Sequence, residues 1–138
     1  MASIIYNSAL RDEAAGAIDF DTDSFKVMLL SSSYTPSKSH AKRSDLTNEV
    51  TGTGYSSGGV AATITVGSTN NTDNRVDITL GGVTFSAVSV TARYAAYYKS
   101  RGGASSADEL VALIDFGTDI VRSAADLVLN SSTLRKQN

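Results

Sequence analysis

Apolar and polar positions alternate with period two along most of this chain, a pattern that predicts strands. Val60, Ala62, Ile64 and Val66 fall on one side of an extended segment, with Ala61, Thr63 and Thr65 opposite. Val76, Ile78 and Leu80 alternate with Arg75, Asp77 and Thr79, and Val83, Phe85 and Ala87 continue the apolar set beyond Gly81-Gly82. Over residues 91–99, Ala92, Tyr94, Ala96 and Tyr98 share one face, and Arg93, Ala95, Tyr97 and Lys99 the other. The run FKVMLL (25–30) is apolar on both faces and predicts a central strand buried on two sides. Residues 3–6, the apolar run 109–116 closed by Gly117, and residues 125–129 supply further strands. A 3.6-residue period occurs once, in Leu10, Ala14 and Ala17/Ile18 behind a cap at Asn7 or Ser8. Gly16 weakens or ends that short helix.

Turn-rich stretches separate the apolar segments. Residues 31–45 form a long loop turned by Tyr34-Thr35-Pro36, and long ordered loops are usually functional. Gly52, Gly54, Gly58 and Gly59 make a corner, GSTNNTDN (67–74) a turn, and SRGGASSAD (100–108) a mobile loop. Residues 1–7 read as an N-terminal arm and residues 131–138 as a polar tail. The pattern predicts an all-β antiparallel sandwich over residues 1–138, of about eight strands with one short N-terminal helix. A jelly roll fits it best, ahead of an immunoglobulin-like sandwich.

Composition narrows the function. A chain of 138 residues is one domain, large enough to fold without a disulfide or metal staple. The absence of cysteine excludes disulfides, thiolate zinc sites and cysteine nucleophiles. Ser, Thr and Gly make up about a third of the residues, favouring strands and turns. The formal charge is −2, and the densest basic cluster, Lys38, His40, Lys42 and Arg43, is short and diluted by serine. The reading is therefore no nucleic-acid partner. No apolar run reaches the roughly 18 residues of a membrane span, and the N-terminus lacks the pattern of a secretion signal. The expectation is no membrane partner and folding in a cytoplasm; the glycosylation patterns at Asn70 and Asn130 then occur by chance.

Catalytic motifs are weak. Residues 54–58 match G-x-S-x-G around Ser56, but β-alternation follows, and the only histidine, His40, lies upstream. Asp19, Asp21 and Asp23 resemble the start of a calcium loop, but Ser24 stands where glycine is needed and Leu30 where glutamate is needed. A looser carboxylate site stays open beside the plainer reading, an acidic turn capping the strand from Phe25. The Gly52, Gly54, Gly58 spacing misses the dinucleotide fingerprint. No enzyme activity, cofactor or metal is expected. Tyr97, Arg93 and Lys99, facing away from the core, form either an interface hot spot or a second half-buried sheet face.

Several blocks carry a family resemblance: DTDSFKVMLL (21–30), SSYTP (32–36), EVTGTGY (49–55), Gly58-Gly59, TARYA (91–95) with Tyr98-Lys99, and LIDFG (113–117). In this order they resemble the cement, or decoration, proteins of tailed-bacteriophage capsids on HK97-like shells. The resemblance spans roughly residues 18–118 and implies a jelly-roll fold without catalysis. It also implies homodimers that clamp neighbouring subunits of the major capsid protein on the outer surface of the virion. Where the resembled proteins run on into a longer apolar hairpin, this chain ends in a short strand and a charged tail. The expected partner contacts are Tyr34, Lys38, Lys42 and Arg43 in the long loop, Arg93, Tyr97 and Lys99 on the strand face, and Arg135 in the tail. The alternative is a tail or head-fibre module that binds a host-surface glycan, with Tyr34 and Tyr97 as stacking platforms.

Overall fold

The computed structural model describes residues 3–138. Among these residues the elements are β1 (Ile4–Ile5), α1 (Asn7–Ala14), β2 (Phe25–Leu30), β3 (Val60–Ala62), β4 (Ile64–Val66), β5 (Arg75–Leu80), β6 (Val83–Lys99), β7 (Leu110–Leu129) and β8 (Ser132–Gln137). All strand pairs are antiparallel, in a five-stranded sheet ordered β1-β7-β6-β2-β3 and a three-stranded sheet ordered β4-β5-β8. The chain is an all-β sandwich with one short helix.

The backbone of the fold is one long two-stranded ribbon. β5 pairs with β8 up to Leu80↔Ser132, and β6 pairs with β7 from Val83↔Leu129. The register is the same on both sides of the corner, so β5–β6 and β7–β8 are two continuous arms that bend together. Gly81 and Gly82 allow the bend: a methyl on Gly82 would lie 2.6 Å from the Leu129 oxygen, and one on Gly81 closer still to Thr63. The segment 60–66 is cut at the same corner, β3 joining one sheet and β4 the other.

The strand count matches expectation by a different division. Residues 83–99 and 110–129 are continuous where separate strands were expected, and Gly117 lies in a bulge between Tyr94↔Asp115 and Ala92↔Ile120 rather than at a strand end. Residues 131–138 are not a free tail: β8 pairs along the whole of β5 and buries Leu134. Nor is 1–7 a free arm over its described part, since β1 pairs with β7 and Tyr6 is fully buried. Tyr6, not Asn7 or Ser8, is the cap residue of α1, and it makes no side-chain cap bond. The Asn7 amide instead donates to the Lys38 carbonyl at 2.9 Å, tying the helix to the long loop.

Two apolar clusters share the five-stranded sheet. Between the sheets, Phe25, Val27, Leu29, Ala95 and Tyr97 meet Ile64, Ile78, Leu80, Phe85, Leu127 and Leu134. On the outer face, Met28, Leu30, Tyr94, Ala96, Tyr98, Leu110 and Leu113 are covered by Tyr6 and Tyr34. The long loop is therefore half a layer of the fold. Tyr34, expected in solvent, is 2 % exposed, with its ring edge-on to Tyr94 at 5.9 Å.

The distal ribbon carries two compensating bulges, at residues 86–87 of β6 and 123–124 of β7. Ala87 and Ala124 adopt φ of 49° and 50°, a left-handed conformation that strains a non-glycine residue. Each bulged amide is held by a side chain across the ribbon: Ala87 N–H donates to Asp126 Oδ1 at 2.9 Å and Ala124 N–H to Ser89 Oγ at 3.0 Å. At ordinary strand positions valine outranks alanine and glycine. Here the order should reverse: Ala124→Gly holds or raises stability, whereas Ala124→Val lowers it by about 2 kcal/mol. Urea denaturation of the three proteins reads the order directly.

Candidate functional site

The eight side chains expected to contact a partner do not form one surface, and most are engaged within the chain. Tyr97 is fully buried, contrary to the exposed-face reading: its hydroxyl donates to the Gly81 carbonyl at 2.7 Å, and burial pushes its pKa up to about 12. Tyr34 is buried and bonds His40 Nδ1 at 2.7 Å and the Tyr6 hydroxyl at 3.2 Å. Arg93 pairs with Asp115 at 2.9 Å, Lys99 with Asp23 at 2.8 Å and the Ala17 carbonyl at 2.7 Å, and Arg135 with Asp77 at 2.9 Å. Lys42 lies 3.7 Å from Glu109, and Arg43 lies 2.7 Å from Asp108 and over the Tyr98 ring. Lys38 alone of the eight is exposed without an ion pair among the described residues.

Lys42 and Arg43 belong to a clamp that the sequence pattern did not disclose. Asp108 and Glu109, at the entrance to β7, are 1 % and 3 % exposed. Arg101 donates to both Glu109 oxygens, at 2.8 and 2.7 Å, and its amide donates to Asp108 Oδ1 at 2.9 Å. The Arg43 and Leu110 amides bond the Asp108 and Ala41 carbonyls, so ladder-like bonding and charge fasten the loop together. The Arg101 hydrogen bonds hold the Glu109 carboxyl below its ordinary value of 4.5. Asp115 is also lowered: burial pushes it up, but the Arg93 and Gly117 donors more than offset that. A carboxylate with a depressed folded pKa stabilises the fold above its unfolded pKa and loses that contribution as pH falls through the folded value. The urea midpoint should therefore decline between about pH 5 and pH 2, with a shallower slope in Glu109→Gln.

The groups with chemical potential are tied into the structure. Glu49 accepts from the Tyr55 hydroxyl at 2.6 Å, the Ser57 hydroxyl at 3.0 Å and the Gly58 amide at 2.7 Å. Tyr55 in turn accepts the Leu29 amide, so this set pins the glycine corner to β2. Burial, reinforced by Glu49, keeps the Tyr55 hydroxyl protonated far above neutral pH. Ser56 is exposed ahead of β3, with no helix after it, while His40 is bonded to Tyr34 in another part of the molecule. Asp23 accepts the Asp19 amide and Asp19 the Asp21 amide, closing the acidic turn upon itself. Among the described residues no group of three His, Asp or Glu is arranged to hold a metal ion.

What stays accessible is the outer face of the distal ribbon. The proximal part of that same face is covered by Tyr6 and the long loop, whereas the stretch from Thr84 to Thr91 on β6, with the facing part of β7, is bordered only by residues 48–54 along β6. Val121 is 64 % and Val128 59 % exposed, opposite Thr91 and Thr84. Along the strands between them the residues Ser86, Ser123, Ala124 and Ala125 are small. The charged side chains nearby are held by the backbone: Asp126, itself exposed, accepts from the Ala87 amide, Arg122 donates to the carbonyls of Val121 and Asp126 at 3.0 and 2.8 Å, and Asp119 is exposed two residues before Val121. Arg122 and the bulges thus obstruct the ribbon edge against strand addition and leave its face open. A cleft of about 620 Å³ runs between this face and residues 48–51. Alternation alone could not reveal it, because IV and LVL runs mark both faces equally. No known protein family, curated protein or solved structure matches the chain.

Proposed function

We propose that this protein is a non-catalytic structural protein that decorates a phage-type capsid and cements neighbouring shell subunits. The observation that carries the reading is the distal ribbon face on which Val121 and Val128 are exposed, on a backbone whose two bulged amides are capped by side chains. Exposed aliphatic side chains make burial favourable, and the nearby Arg122 and Asp126 already have backbone partners, which lowers the cost of covering them. Many copies, each making a modest contact with two subunits, would stabilise a shell through multivalency. The glycan-binding alternative loses its stacking platforms, because Tyr34 and Tyr97 are both enclosed.

Purified protein added to shells that lack it tests the proposal. Wild-type protein is expected to saturate the shells at a stoichiometry near that of the shell subunit and to raise their disruption temperature. Val121→Asp/Val128→Asp, a change at exposed positions, should fold normally and fail to bind. Shells equally resistant to heat with and without the protein would exclude cementing, and a few copies per particle would move it to the tail or fibres.

A further inference from the structure

A second surface lies at the open end of the sandwich, away from the ribbon face. The inner face of the small sheet extends past the opposing layer there, so that Val66, Val76 and Ile78 form an apolar floor beside a wall of Ile18 and Phe20. The groove has a volume of about 590 Å³, and Val66 is 40 % exposed within it. Glu13 and Lys136 pair with each other at one end and cancel. Asp19 and Asp21 stand at the rim: Lys99 binds Asp23 and reaches Asp19 only with its more distant charge, and Asp21 has no ion pair among the described residues. Hydrogen bonds from Thr22 and from the Asp21 amide hold Asp19 ionised. Along the groove, β4 is the outer strand of its sheet, with no strand on its far side. An unpaired strand edge offers backbone donors and acceptors to an extended segment.

We infer that this groove is a peptide-docking site for an extended segment of a partner protein, with an apolar anchor residue flanked by lysine or arginine. The anchor would sit on Val66, Val76 and Ile78, the flanking cations beside Asp19 and Asp21, and the segment's backbone along β4. Each feature alone is ordinary; the edge selects an extended backbone, the floor an apolar side chain, and the rim its charge. A free hydrophobic molecule would use neither the edge nor the two carboxylates. The inference stands apart from the shell reading, since it concerns another surface and its test contains no shell.

The test is a titration of the intact, isotopically labelled chain with two blocked peptides, Lys-Leu-Lys-Val-Lys-Leu-Lys and Glu-Leu-Glu-Val-Glu-Leu-Glu, followed by amide chemical shifts. The basic peptide should shift the amides of residues 18–21 and 64–67 with a dissociation constant below about 1 mM, and the acidic one should bind at least about tenfold more weakly. Val66→Glu should abolish the shifts and Asp21→Lys should weaken binding about tenfold. Both positions are exposed, so both variants should keep the wild-type spectrum elsewhere, and Leu10→Glu, at an exposed apolar residue outside the groove, should bind as the wild type does. Shifts confined to other residues, equal binding of the two peptides, no binding of the basic peptide at millimolar concentration, or unchanged binding in both groove variants would each overturn the assignment.

Discussion

Gly59→Ala is expected to leave the protein unfolded or nearly so, whereas the same change one residue earlier should be tolerated. Both glycines have positive φ, 90° at Gly58 and 79° at Gly59, so each alanine carries a conformational cost of about 1–2 kcal/mol. The difference lies in what surrounds them. A methyl on Gly58 would meet only the Tyr98 hydroxyl, at 3.4 Å, an ordinary contact. A methyl on Gly59 would lie 2.6 Å from the Val27 carbonyl carbon and 2.8 Å from Met28 Cα, and closer still to the Val27 oxygen. Those atoms belong to the backbone of β2, which is paired on both sides and buried on both faces, so they have nowhere to move. Relief requires lifting β3 from β2 and breaking the Val27↔Val60 pairing that begins the path to the second sheet. The loss should exceed about 4 kcal/mol, a large part of the total stability of a domain this size. Circular dichroism and urea titration distinguish the cases. A Gly59→Ala protein melting within a few degrees of Gly58→Ala would show that the close approach is not a constraint.

The strands were legible where one face meets solvent and the other a core. Period two reports such a face directly, as in residues 60–66 and 75–80. It failed over residues 94–99, because Tyr94, Ala96 and Tyr98 and the opposite pair Ala95 and Tyr97 are all buried. Tyr97 read as outward because Arg93 and Lys99 flank it on its own face. Both are anchored at the margins of the buried patch, by Asp115 and Asp23. The cover over the other face comes from a loop whose sequence is mostly Ser, Lys and Thr, and only a single tyrosine, Tyr34, marked it as anything but solvated. In STLRKQ the alternation of Ser132, Leu134 and Lys136 is a strand signal resting on one apolar residue, too little to outweigh the polar composition. A glycine that ends a strand and one that sits in a bulge look alike in sequence, so Gly117 gave no sign that β7 continues. The ribbon face was hidden for a related reason: Val121 and Val128 are exposed because no other element lies over them, a property of the arrangement and not of the local residues.

The second large effect should come from the Arg43–Asp108 pair, which fastens the long loop to the entrance of β7. The Asp108 side chain is 2 % exposed, and its two side-chain contacts are the Arg43 Nε at 2.7 Å and the Arg101 amide at 2.9 Å. Arg43→Met keeps most of the aliphatic stem over Tyr98 but leaves the buried carboxylate with the Arg101 amide as its hydrogen-bond donor and only the more distant Arg101 guanidinium as counter-charge. That should cost about 3 kcal/mol, since a buried charge that loses its direct partner is poorly compensated. Asp108→Asn is milder, about 1–2 kcal/mol, because it keeps an acceptor for the Arg101 amide and leaves a cation that can turn toward water. The double variant should be less unstable than the sum of the singles, by about 1–2 kcal/mol, because the second change removes the charge that the first one stranded. Additivity within about 0.5 kcal/mol would mean that the two side chains act independently and that the loop is held by Tyr34 and the backbone bonds alone. Hydrogen exchange adds a local reading. If the pair is the fastener, Arg43→Met should speed exchange first at the Arg43 and Leu110 amides, which bond across the loop junction, while amides in the middle of β6 stay protected.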